Sequence, residues 1–178
     1  YLNGATYNGT ATFRKNGATD NASVGGNTFN GTTSITNTSA NYIRLANTTT
    51  DNYNADVTFA QNNTGVLAPN YNANCNYGGN VTVSATSTYT MTFGSAAGGI
   101  ATFNGTSVQT INKSGSIGNP VFTRLVMNKT ANSVTLNTRI NISSSLTLTQ
   151  GIINTTSTNI LNMNDATTTS IGNSSSYI

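Results

Sequence analysis

A short motif recurs at nearly constant spacing along this chain, and that repeat limits the available folds more than any other feature. An aromatic residue is followed by Asn or Gly, then Gly or Ala, then alternating polar and apolar residues. The motif reads YNGTATF from Tyr7, FNGTTSI from Phe29, YNADVTF from Tyr53, YGGNVTV from Tyr77 and FNGTSVQ from Phe103. Successive aromatics stand 22, 24, 24 and 26 residues apart. Six residues after each of the first four come Phe13, Ile35, Phe59 and Val83, preceded by Thr12, Ser34, Thr58 and Thr82. Fourteen residues after the second, third and fourth come Ile43, Leu67 and Met91, and sixteen after come Leu45, Pro69 and Phe93. Arg44, Ala68 and Thr92 lie between them. Such alternation predicts at least two short strands per unit, each with one buried face. The Asn, Gly and Ser residues between them suit turns.

A period in the low twenties built from short strands predicts an all-β fold, a β-solenoid with coils of about 24 residues. Coils stacked at roughly 4.8 Å give about seven coils and a rod about 35 Å long. A β-sandwich would also have short strands, but it does not require residues 24 apart to match in character. Residues 1–101 read as regular repeats, and 102–178 as a continuation of the same solenoid with less regular coils. The continuation includes SVTLNTRINI from Ser133 and SSLTLTQGII from Ser144, before a polar tail from Asp165 to Ser176. Pro69 falls at an inward position and cannot donate to a ladder, so a bulge or strand end is expected there. The pairs Gly25-Gly26, Gly78-Gly79 and Gly98-Gly99 mark coil junctions.

Composition narrows the chemistry. Charged residues are 6% of the chain, against about 25% in ordinary soluble domains. Glu, His and Trp are absent. Recurrent Val, Ile, Thr, Tyr and Phe argue for strands rather than disorder. Abundant Asn suggests side-chain amides hydrogen-bonded along the stack. Without His there is no Ser-His-Asp arrangement, and zinc sites built on His or several Cys are ruled out. The acids Asp20, Asp51, Asp56 and Asp165 form no column by register, which leaves no carboxylate pair for glycoside hydrolysis. Each reads as a turn or surface residue. Neither a metal nor another cofactor is expected, and the chain reads as non-enzymatic.

Seven scattered basic residues do not form the clustered footprint of nucleic-acid binding. Cys75, the only cysteine, reads as a small apolar member of the stack. No apolar run is long enough to span a bilayer as a helix, and no signal peptide is seen. Starting at Tyr1 rather than Met, the chain reads as a segment of something longer.

The stretches TFNGTSVQTI, FTRLVMN, SVTLNTRINI, SLTLTQGIINT and GNSSSYI, spanning Thr102 to Ile178, resemble large secreted and surface proteins of Bacteroidota. These include adhesins exported by the type 9 secretion system, and the 24-residue units before Thr102 resemble the solenoid repeats of such proteins. The resemblance implies an extracellular or cell-surface location and a structural or display role within an adhesin or fibre. Flanking repeats of the same polypeptide would be the immediate partners, with end-to-end self-association through exposed strand edges as a further one. Two other functions follow from surface chemistry. Tyr42, Tyr71 and Tyr89 are candidate sugar-stacking platforms for glycans or other cell surfaces. Columns Thr10, Thr32, Asp56, Asn80 and Thr12, Ser34, Thr58, Thr82, with alternating Thr86, Thr88, Thr90 and Thr92, resemble a hydroxyl-rich ice-binding face.

Overall fold

The computed structural model describes residues 2–164 and 167–178. It has no helix among the described residues and winds as a β-solenoid of about seven turns. Every ladder between its strands is parallel, as stacking of successive coils requires.

Three faces make up each early coil. On the first, Thr6–Tyr7, Thr28–Phe29, Asp51–Tyr53, Cys75–Tyr77 and Ala101–Phe103 pair in order, so Tyr7, Phe29, Tyr53, Tyr77 and Phe103 form one column. The column continues through Met127 and Leu148. The first four rings lie nearly parallel, with centroids 5.1 Å apart for Tyr7–Phe29, 4.8 Å for Phe29–Tyr53 and 5.5 Å for Tyr53–Tyr77, and Phe103 is tilted by 31° from Tyr77. The motif spacing is therefore the pitch of the solenoid.

On the second face, Ala11–Lys15, Thr33–Asn37, Val57–Gln61, Val81–Ala85 and Gln109–Gly115 pair in the same way. Phe13, Ile35, Phe59 and Val83 point inward, and Phe59 meets the Tyr53 ring edge-on at 5.6 Å and 83°. Edge-to-face contact lets a second aromatic fill the slot beside a stacked column without leaving a void. The column ends at Lys113, which pairs with Val83 but is exposed.

The third face is shorter. Asn21–Ala22, Ile43–Arg44 and Leu67–Ala68 form a separate three-stranded sheet. Ile43 and Leu67 pair as expected, but the column does not extend to Met91 through this sheet. Thr92–Phe93 pairs instead with Val121–Phe122. The free edge left at Leu67 is closed by the Tyr89 hydroxyl, which accepts from the Leu67 N–H at 3.2 Å and donates to its carbonyl at 3.0 Å. Leu67–Ala68 stops immediately before Pro69, the strand end that proline demands. Beyond it the chain turns the same corner in successive coils, with Ala46, Asn70 and Gly94 all at positive φ and 24 residues apart.

From Val121 the corners flatten. Val121–Leu136 and Ile140–Asn154 are single strands that each run past three short strands, and they pair with each other with register shifts after Phe122, Met127 and Asn128. The polar tail also pairs: Thr168–Thr169 lies on Ser145–Leu146, and Ser176–Tyr177 on Gly151–Ile152. Asp165 lies outside the described residues.

Asn side chains stack as the composition suggested. Asn30 Nδ2 donates to Asn8 Oδ1 at 2.8 Å, Asn54 to Asn30 at 2.8 Å, and Asn76 to Asn52 at 2.8 Å. Asn30 both donates and accepts along the axis, and the ladders satisfy corner polar groups from coil to coil.

Candidate functional site

A cation–aromatic cluster on the outer surface is centred on Arg44, in the middle strand of the third face. Its ladder neighbours are Ala22 in the preceding coil and Ala68 in the next, both too small to crowd it. The guanidinium carbon lies 4.0 Å from the Tyr42 ring centroid and 4.3 Å from the Tyr71 centroid. Both separations are well inside cation–π range. Tyr42 shares the outward face because it precedes Arg44 by two residues. Tyr71 arrives from the following coil, just after the Pro69-Asn70 turn. Backbone bonds hold the arrangement: Tyr42 N–H donates to Asp20 Oδ1 at 3.0 Å, and Tyr71 N–H to the Leu45 carbonyl at 2.8 Å.

The three tyrosines singled out by sequence are thus divided. Tyr42 and Tyr71 come together, each with a ring face against Arg44. Tyr89 stands apart, its hydroxyl bonded twice to the Leu67 backbone, and burial raises its pKa above the usual tyrosine value. Arg44 itself carried no functional signal in sequence, since Tyr71 lies 27 residues from it rather than one repeat away.

The hydroxyl columns also keep register: Thr12, Ser34, Thr58 and Thr82 are successive partners on the second face. Asp56 and Asn80 interrupt the adjacent column and bond to each other, Asn80 N–H to Asp56 Oδ1 at 2.8 Å and Asn80 Nδ2 to Oδ2 at 3.1 Å. Of the alternating threonines, only Thr92 lies in a strand; Thr86, Thr88 and Thr90 belong to the connecting segment.

Inside the solenoid, one expectation is corrected. Asp51 is neither a turn nor a surface residue but is fully buried. Its column is Asn27, Asp51, Cys75 and Ala101, all inward-facing and all without measurable exposure. Asp51 Oδ1 accepts from Asn27 N–H at 2.9 Å and Asn27 Nδ2 at 2.8 Å, while Oδ2 has no partner. Burial raises its pKa above the ordinary 3.8, and the bonds from Asn27 partly offset this. Cys75 is buried as expected, and burial pushes its thiol pKa well up, which disfavours the reactive thiolate.

The sign of the Asp51 effect on stability follows from linkage. A buried carboxyl with a raised pKa binds its proton more tightly in the folded state than in the unfolded one. Its favourable contribution is present below the ordinary value of 3.8 and is lost as pH rises through the raised one. Asp51→Asn keeps an acceptor for Asn27 and removes the charge. We expect it to stabilise the fold near neutral pH by about 1–3 kcal/mol, the usual cost of an uncompensated buried polar group. The gain should shrink toward pH 4. Urea midpoints at pH 4 and pH 8 check this, and an equal shift at both would refute it.

At a corner of the later coils, buried Lys129 donates to the carbonyls of Gly105 and Ser107 and to Gln109 Oε1, the last two at 2.9 and 2.7 Å. Burial lowers its pKa. The amino group is fully employed in tying its coil to the preceding one. Among the described residues, no group of three or more His, Cys, Asp or Glu side chains is placed to hold a metal ion.

No family model, no curated protein and no solved structure matches this chain.

Proposed function

We propose that this chain is a non-enzymatic structural or display segment of a long extracellular surface protein, a rod that carries other parts away from the cell. The observation that carries this reading is the uninterrupted stack: one inward column runs from Tyr7 through Phe29, Tyr53, Tyr77, Phe103 and Met127 to Leu148, joined by parallel ladders at every step. Each coil adds length to the one before it, as in quasi-one-dimensional repeat folds.

The solid interior supports the same reading. Continuous hydrogen-bonded ladders resist bending and extension, which suits a spacer. Antibody raised against this chain tests the role on its source cells. The expected antigen is several times heavier than 18.4 kDa and is removed from intact cells by added protease. A free intracellular antigen of the chain's own mass would overturn the proposal.

A further inference from the structure

We propose that Arg44, held between Tyr42 and Tyr71, is the recognition point for an acidic polysaccharide, one bearing carboxylate or sulfate groups on its sugar rings. The site does not depend on the rod acting as a spacer.

Three observations carry it. First, the guanidinium is pre-set. Its carbon lies over two rings, at 4.0 and 4.3 Å from their centroids, and both tyrosines are anchored by their own backbone bonds. The rotamer entropy that an arginine normally loses on binding is therefore largely lost already. Second, its edge is unused. Among the described residues the Arg44 guanidinium makes no hydrogen bond or ion pair. By contrast, Arg14 Nε donates to Thr38 Oγ1 at 3.1 Å and Arg124 Nη2 reaches the Ala96 carbonyl at 3.5 Å. Asp20 is in the coil below, and its Oδ1 accepts the Tyr42 N–H. Third, the ladder neighbours are small and uncharged, and Asp20 is the one carboxylate placed beside the site, its Oδ1 on the Tyr42 N–H. Ala22 and Ala68 flank Arg44 in the ladder, and Asn41 and Asn72 adjoin the two tyrosines in sequence.

These features select the ligand class. A guanidinium held over two rings keeps its in-plane N–H groups, the fork that matches an oxyanion with two donors. Tyr42 and Tyr71 are both partly exposed, and aromatic rings suit the C–H faces of pyranose rings. One isolated cation among amides matches a chain whose charges are separated by hydroxyl-bearing carbon. Nucleic acids call for clustered basic side chains instead.

Affinity electrophoresis tests the proposal, with polygalacturonate, dextran sulfate, neutral dextran and poly-glutamate in parallel gels. The wild-type chain should be retarded by one or both acidic glycans, the two arms separating carboxylate from sulfate recognition. Arg44→Gln should weaken that retardation by about tenfold or more, as loss of a two-pronged charged contact implies. Arg124→Gln, which removes the same charge elsewhere, should change it less than twofold. Arg44→Lys keeps the charge without the planar fork and should resemble Arg44→Gln, which covers the case of Arg44→Gln failing to fold. No retardation by either acidic glycan overturns the proposal. So does equal loss in the Arg44 and Arg124 variants, or equal retardation by neutral dextran or by poly-glutamate.

Discussion

Phe59→Ala is expected to lower the stability of the folded chain by about 3–5 kcal/mol, the usual range for removing a buried phenylalanine. Phe59 is wholly buried and touches three rings edge-on: Tyr53 at 5.6 Å, Phe93 at 5.7 Å and Tyr77 at 6.5 Å. Alanine would strand all three beside a cavity in the centre of the stack. Neighbouring coils cannot collapse into it, because their spacing is set by backbone ladders on the second face. Phe13→Ala removes the same group from the same column at its first-coil end, where Phe13 is only half-buried. Its cost should be less than half as large. Urea denaturation followed by far-UV circular dichroism compares the two, and equal losses would show that the column is not buried progressively from that end.

The second large effect is expected at Gly99. This residue has φ of +80°, and a Cβ there would lie 1.9 Å from the Asn70 carbonyl oxygen and 2.8 Å from Gly94 Cα. Left-handed backbone costs an L-residue about 1–2 kcal/mol, and forced overlap in a packed region about 1–3 kcal/mol more. Both obstacles are main chain, so no side chain can swing away. Gly99→Ala should therefore destabilise by about 2–5 kcal/mol, the sum of those two costs. Gly9→Ala is the control, since its Cβ would meet nothing within 4 Å; its effect should stay within about 0.5 kcal/mol. A Gly99 variant as stable as the Gly9 variant would mean that the coils are not in contact at this corner.

Much of the architecture was legible because the residues that repeat are the ones that stack. Tyr7, Phe29, Tyr53, Tyr77 and Phe103 are recognisable as one column since ring stacking favours like beside like. Where a column changes chemistry from coil to coil, the signal fades. Asn27, Asp51, Cys75 and Ala101 share one buried position yet have little in common, so Asp51 passed for a surface residue. Its carboxylate is met by Asn27 and by the Ala46 backbone, and such local complements leave no periodic trace.

The Arg44 site was half legible for a similar reason. Tyr42 and Tyr71 stood out as aromatics, but neither pointed to the cation between them. Their meeting depends on the left-handed corner at Asn70, which delivers Tyr71 to the coil below. Tyr89 was flagged for its ring, whereas its hydroxyl is what the structure uses, at a sheet edge created when Thr92–Phe93 leaves the third face. The fusion of short strands into Val121–Leu136 and Ile140–Asn154 was also hidden. It follows from bulged corners, and alternation alone cannot distinguish a bent strand from two strands and a turn.

Stacking of residues one coil apart underlies the core, the turns and the Arg44 site alike, and ring-to-ring nuclear Overhauser effects measure it directly. Selectively labelled Phe29, Tyr53 and Tyr77 should show cross-peaks from Tyr53 to both other rings, at centroid separations of 4.8 and 5.5 Å. A Tyr53 ring with cross-peaks only to its sequence neighbours, and none to Phe29 or Tyr77, would contradict the solenoid.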